Sequence, residues 1–189
     1  QYVKRCMQAF PQLGPWEILN EPYGGKLQGW KLEEQYDTFL RLAGEGIRPA
    51  GQRVLRCGLV YLKHDETANA RASRAADILS EHFYPAYNDT RKFLTDFELV
   101  TDFQAKHRLC NAIWVTEFGK YKQDDVPFQC ADSPFYDPEG DESSSAAFAV
   151  KYMTVMLAHG VEKVFFHLRT WPLGHNLKGN ATPFDMLFE

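Results

Sequence analysis

A chain of 189 residues, 44% hydrophobic and 24% charged, is long enough to bury a sizeable core and has the composition of a globular domain. A formal net charge of −4, a pI near 5.9 and the lack of any basic stripe argue against a nucleic-acid partner. The longest apolar runs, such as Val164-Phe165-Phe166, are far too short to cross a bilayer, so no membrane partner is expected, and no charged-then-apolar leader opens the chain.

Residues 1–10 read as the end of an amphipathic helix, with Tyr2, Val3, Cys6 and Phe10 on one face, broken by Pro11 and Gly14-Pro15. Trp16 to Leu19 is a short apolar run that fits a buried strand, closed by Asn20-Glu21-Pro22 and a Tyr23-Gly24-Gly25 loop. Leu32, Tyr36, Phe39, Leu40, Ala43 and Ile47 keep helical spacing, which predicts a helix over 31–47 stopped by Pro49 and Gly51. Residues 53–62 form the next strand-like run, and 65–76 an Ala- and Arg-rich helix capped by Asp65. A strand over 78–84 ends at Pro85, a long helix follows near 89–108, and a strand over 112–116 leads into Glu117-Phe118-Gly119. Residues 120–142 have no clear period and read as a long loop, in which Asp124, Asp125, Asp132 and Asp137 are expected to be mostly solvated charges, with polar substrate contacts as the alternative. A helix over 143–159 starts at a Ser cluster and ends at Gly160; 161–168 is the last strand, and the tail from Thr170 is mostly loop. Strand and helix alternate, so the fold class is α/β: a parallel sheet with helices outside it and no short internal repeat.

The four cysteines, Cys6, Cys57, Cys110 and Cys130, lack Cys-x-x-Cys spacing, so no zinc site is expected, and the sequence assigns no disulfide. The sequons at Asn88 and Asn180 lean towards a secreted or extracytoplasmic location. Aromatic residues make up 14% of the chain, which suits stacking on sugar faces as well as a core built from rings.

Glu21 and Glu117 share a context: each follows a short apolar strand and each is followed by a turn-former, Pro22 or Gly119. A lone Glu past a strand is usually a solvated loop residue. Two of them, in Trp16-Glu17-Ile18-Leu19-Asn20-Glu21-Pro22 and Ile113-Trp114-Val115-Thr116-Glu117-Phe118-Gly119 with two strands between, form a constellation with chemistry. At the C-terminal rim of a (β/α)8 barrel, one carboxyl can protonate a leaving oxygen while the other attacks an anomeric carbon or activates water.

On these residues the chain resembles clan A of the retaining (β/α)8 glycoside hydrolases, the superfamily of cellulases, β-xylosidases and α-L-iduronidases, whose carboxylates end barrel strands four and seven. The resemblance spans nearly the whole chain and implies a partial TIM barrel, strands four to eight with intervening helices, in one catalytic domain over 1–189. Strands 53–62 and 78–84 become five and six, and 161–168 becomes eight. By matched position, Glu21 is implied as acid/base, Glu117 as nucleophile and Asn20 as a hydrogen-bond partner of the substrate 2-hydroxyl. His82-Phe83-Tyr84 matches a His-x-Tyr at the end of strand six, implying Tyr84 beside the nucleophile and His82 lining the sugar site. Trp171, or His167 in its place, is the implied stacking residue after strand eight; Trp30 and Tyr23 are further platforms. The implied partner is a carbohydrate substrate, with no metal or organic cofactor.

A full barrel has eight strands and about 250 residues. Strands one to three and helix eight are missing from the count, so a fragment with little or no turnover of its own is expected. Two other readings compete. A non-catalytic carbohydrate-binding barrel would need neither glutamate. A metal-dependent hydrolase or an aldolase on the same fold would want His-x-His or a strand-end Lys, and the sequence has neither. The sugar, its linkage and endo or exo action are not legible.

Overall fold

The computed structural model describes residues 2–20, 22, 26–27, 30–57, 65–83, 90–118, 121–122, 136–137 and 142–166. In chain order the elements are α1 (Tyr2–Ala9), β1 (Trp16–Ile18), β2 (Lys26–Leu27), β3 (Trp30–Lys31), α2 (Leu32–Ile47), a 3-10 turn (Arg48–Ala50), β4 (Val54–Cys57), α3 (Glu66–Ala75), β5 (Ile78–Phe83), α4 (Thr90–His107), β6 (Ala112–Phe118), β7 (Tyr121–Lys122), β8 (Tyr136–Asp137), α5 (Glu142–Ala158) and β9 (Lys163–Phe166).

The main sheet has five strands in the order β1-β4-β5-β6-β9, so each strand lies beside the one before it. The register is parallel where Trp16 faces Val54 and Ile18 faces Arg56, and again where Leu55 faces Ile78 and Cys57 faces Ser80. Parallel neighbours in sequential order, joined by helices, are the construction of a (β/α) barrel wall. The expected α/β fold is therefore present as a partial barrel. Two differences concern extent. β6 runs through Glu117 to Phe118 rather than stopping at 116, and two-residue ladders, β2 with β3 and β7 with β8, lie where loops were expected. Among the described residues no helix is long and apolar enough to cross a membrane.

Two compact units divide the chain. The first comprises residues 1–82 and 96–114, the second 83–95 and 115–189. In the first, the predicted stripe of α2 is buried as spaced: Tyr36, Leu40, Ala43 and Ile47 join Met7, Val54 and Ala72, with Trp16 and Ile18 packed against them. On the other face of β4, Leu55 packs with Ile78 and Trp114. Asp65 caps α3 as expected, its side chain accepting from Thr67 N at 2.8 Å and Ala68 N at 3.2 Å. Small residues on the buried side of α3, Ala68, Ala72 and Ser73 among them, let that helix lie close to its neighbours. Asp77 begins the next strand: its Oδ2 accepts from Val54 N at 2.9 Å, and both its carboxylate oxygens accept from Arg48 Nε at 3.1 Å.

The second unit is held by rings. Phe93 stands edge-on to Phe83 at 5.6 Å and to Tyr152 at 4.9 Å, and Phe118 stacks on Phe148 at 5.7 Å. Such pairs add about 0.5–1.5 kcal/mol each beyond their burial. Gly160, at φ +89°, turns the chain out of α5 in the left-handed conformation that glycine adopts without penalty.

Candidate functional site

Period-two alternation decides what β1 presents. Trp16 and Ile18 point into the helix-lined core, so Glu17 between them points to the opposite face. There its Oε1 accepts a hydrogen bond from Ser80 Oγ and lies 3.9 Å from His82 Nε2. His82 Nε2 is in turn 3.6 Å from Cys57 Sγ. Cys57 and His82 are buried, whereas the Glu17 side chain keeps 27% of its exposure. In a flat sheet β1 and β5 would be two strand spacings, about 9–10 Å, apart. A contact between Glu17 and Ser80 across β4 therefore means that this part of the sheet curls towards that face, as a barrel wall must.

Tyr36 sets the ends of these strands. Its buried hydroxyl donates to Ile18 O at 2.5 Å and accepts from Cys57 N at 2.9 Å, tying the last residues of β1 and β4 to α2. Beyond that tie Leu19 takes φ +63°, a left-handed conformation that costs a non-glycine residue about 1–2 kcal/mol. The chain turns sharply there, and Asn20 follows in an exposed bend.

Of the residues singled out from the sequence, Asn20 lies at this exit from β1, His82 is buried in the cluster on β5, and Glu117 is the partly buried penultimate residue of β6. Glu21, Tyr84, His167 and Trp171 lie outside the described residues, as do Tyr23, Asp124, Asp125 and Asp132, Cys130 and the sequon residues Asn88 and Asn180. Trp30 is in β3 and Asp137 in β8. Cys6, Cys57 and Cys110 are not in disulfides. The residue that sequence reasoning passed over is Glu17. Its signal was present: one carboxylate inside a three-residue strand, flanked by two apolar residues that take the core face.

No protein-family model matches the chain, and no curated protein matches it. Solved structures do. A glycoside hydrolase family 17 β-1,3-glucanosyltransferase from Rhizomucor miehei matches with a TM-score of 0.61 and 12% identity, over 86% of this chain and 57% of that one. An active-site mutant of Rhizomucor miehei β-1,3-glucanosyltransferase in complex with laminaritriose matches with a TM-score of 0.55 and 11% identity, over 78% and 50%. The likeness is one of fold, a partial (β/α) barrel. The chain spans roughly half the length of these two structures, with shares of 50% and 57%. An α-L-arabinofuranosidase from Thermotoga maritima, in an arabinose complex, is also similar, with a TM-score of 0.49 and 16% identity over 80% of this chain and 33% of that one.

Proposed function

We propose that this chain is the strand-four-to-eight part of a retaining glycoside hydrolase that cleaves O-glycosidic bonds in an oligo- or polysaccharide by double displacement. The carrying observation is a fold shared with solved glycoside hydrolase structures, in which Asn20 lies two residues past β1 and Glu117 is the penultimate residue of β6. In this reading the Glu117 carboxylate attacks the anomeric carbon while the Glu21 carboxyl gives its proton to the departing oxygen. Glu21 then takes a proton from water, which attacks the same carbon and releases Glu117. Asn20 holds the substrate 2-hydroxyl, Tyr84 steadies Glu117, Trp171 stacks on a sugar face, and His82 sits at the base of the sugar site. The substrate contacts of the other barrel strands come from outside these 189 residues.

The test is Glu117→Gln in the full-length protein. Turnover of an aryl glycoside should vanish, while binding of the unreactive oligosaccharide product persists. Glu21→Gln should lower turnover about 10²–10⁴-fold, the usual worth of a positioned acid/base group. Full turnover in Glu117→Gln would remove Glu117 as the nucleophile, and sugar binding without turnover in the unaltered full-length protein would leave a carbohydrate-binding barrel as the better description.

A further inference from the structure

We propose that Glu17, Cys57 and His82 form a binding site for a thiophilic divalent cation, zinc foremost. This inference shares His82 with the glycosidase reading and otherwise does not rest on it, since that chemistry uses no metal. Glu17 comes from β1, Cys57 from β4 and His82 from β5, three adjacent strands of the first unit. One ligand atom from each lies within 4.8 Å of the other two.

The arrangement differs from a nucleophilic relay. In a Cys-His-carboxylate relay the thiol and the carboxylate sit on opposite ring nitrogens of the histidine. Here Cys57 Sγ, at 3.6 Å, and Glu17 Oε1, at 3.9 Å, converge on the same nitrogen, Nε2 of His82. A single N–H shared between sulfur and carboxylate at these distances is a weak three-centre contact, whereas a cation at the centre is ligated by all three. Tetrahedral zinc, with bonds of about 2.3 Å to sulfur and 2.0–2.1 Å to nitrogen and oxygen, separates S from N by roughly 3.6 Å and N from O by roughly 3.4 Å. The first separation is met, and the second needs the carboxylate to close by about half an ångström.

The surroundings fit. Ser80 Oγ donates to Glu17 Oε1, the outer hydrogen bond that orients a metal-bound carboxylate. Cys57 and His82 are buried, while the partial exposure of Glu17 gives an ion a way in and leaves a fourth position for water. Binding takes the proton from the Cys57 thiol and uses the neutral His82 ring. The ion joins the middle of β1 to the C-terminal ends of β4 and β5.

The experiment titrates the reduced, chelator-stripped protein with Co²⁺ and competes it with Zn²⁺. A thiolate-to-cobalt charge-transfer band of one-to-one stoichiometry, displaced by Zn²⁺, is expected. Cys57→Ser should abolish the band, and Ser80→Ala should weaken affinity about 10–100-fold. A variant with Cys6, Cys110 and Cys130 all changed to Ser keeps Cys57 as its one thiol and should retain the band, which decides the matter even if Cys57→Ser fails to fold. No thiolate band in the unaltered protein, its loss in that triple variant, or equal affinity in folded Cys57→Ser would overturn the proposal.

Discussion

Replacing Tyr36 by Phe removes one oxygen and leaves the ring. Tyr36 is fully buried, and its hydroxyl makes two main-chain hydrogen bonds, to Ile18 O and from Cys57 N, at the ends of two strands that face the candidate site. At a net worth of about 0.5–1.5 kcal/mol for each intramolecular hydrogen bond, Tyr36→Phe should lose about 1–3 kcal/mol. No cavity term adds to this, because the phenyl ring still fills the space among Leu40, Ala43 and Val54. For a chain of this size each kcal/mol moves the midpoint by about 2–4 °C, so Tm should fall by roughly 2–12 °C. Urea unfolding followed by tryptophan fluorescence should show a lower midpoint with an unchanged slope, since the surface exposed on unfolding is the same. A loss below about 0.5 kcal/mol would refute the view that Tyr36 ties β1 and β4, and a changed slope would mean that the substitution altered the compact state itself.

Asp77 accepts from the first N–H of β4 and from Arg48 with the same carboxylate. Asp77→Ala should therefore cost about 2 kcal/mol in urea unfolding, while Asp77→Asn, which keeps an acceptor and loses the partly exposed ion pair, should cost under about 1 kcal/mol. Glu66 is held below the ordinary glutamate value of 4.5 by its hydrogen bond with Lys106 and then by that with His107. A depressed folded-state pKa stabilises the protein above the unfolded value and loses that effect as pH falls through the folded one. The Glu66→Gln variant should thus match the unaltered protein more closely below pH 4.5 than above it; a constant difference across an acid titration of Tm would contradict the assignment.

Helix positions were legible because burial enforces a 3.6-residue period. Tyr36, Leu40, Ala43 and Ile47 all reach the core, and the Asp65 cap was readable because a short carboxylate before an Ala-rich run has two backbone N–H groups to accept from. The end of β6 was not legible. Thr116 and Glu117 break the apolar run, but the backbone ladder takes no account of side-chain polarity and continues to Phe118. The cluster of Glu17, Cys57, Ser80 and His82 was illegible for a different reason. Its members come from three strands separated by helices, so no local spacing links them. Only the parallel register does: Glu17 pairs with Leu55, two residues before Cys57, and Cys57 pairs with Ser80, two residues before His82. Each of these contacts lies one pleat, two residues, beyond the register partner, an offset that no local sequence pattern records.

The left-handed turn at Leu19 divides the Trp-Glu-Ile-Leu-Asn-Glu-Pro string into two parts. Strand alternation governs Trp16 to Ile18 and sends Glu17 into the curled face, below the rim and against Ser80 and His82. At Leu19, φ +63° ends the alternation, so the direction of Asn20 is set by a turn and not by strand parity. A leucine is a poor choice for that conformation, and a glycine would relieve about 1–2 kcal/mol. The strained turn persists because both sides of it are fixed: the Tyr36 hydroxyl pins the carbonyl just before Leu19, and Trp16 and Ile18 are anchored among the helices. Strain held in place by its surroundings is a mark of sites where geometry matters more than stability. It falls where the partly buried strand β1 gives way to the exposed bend at Asn20.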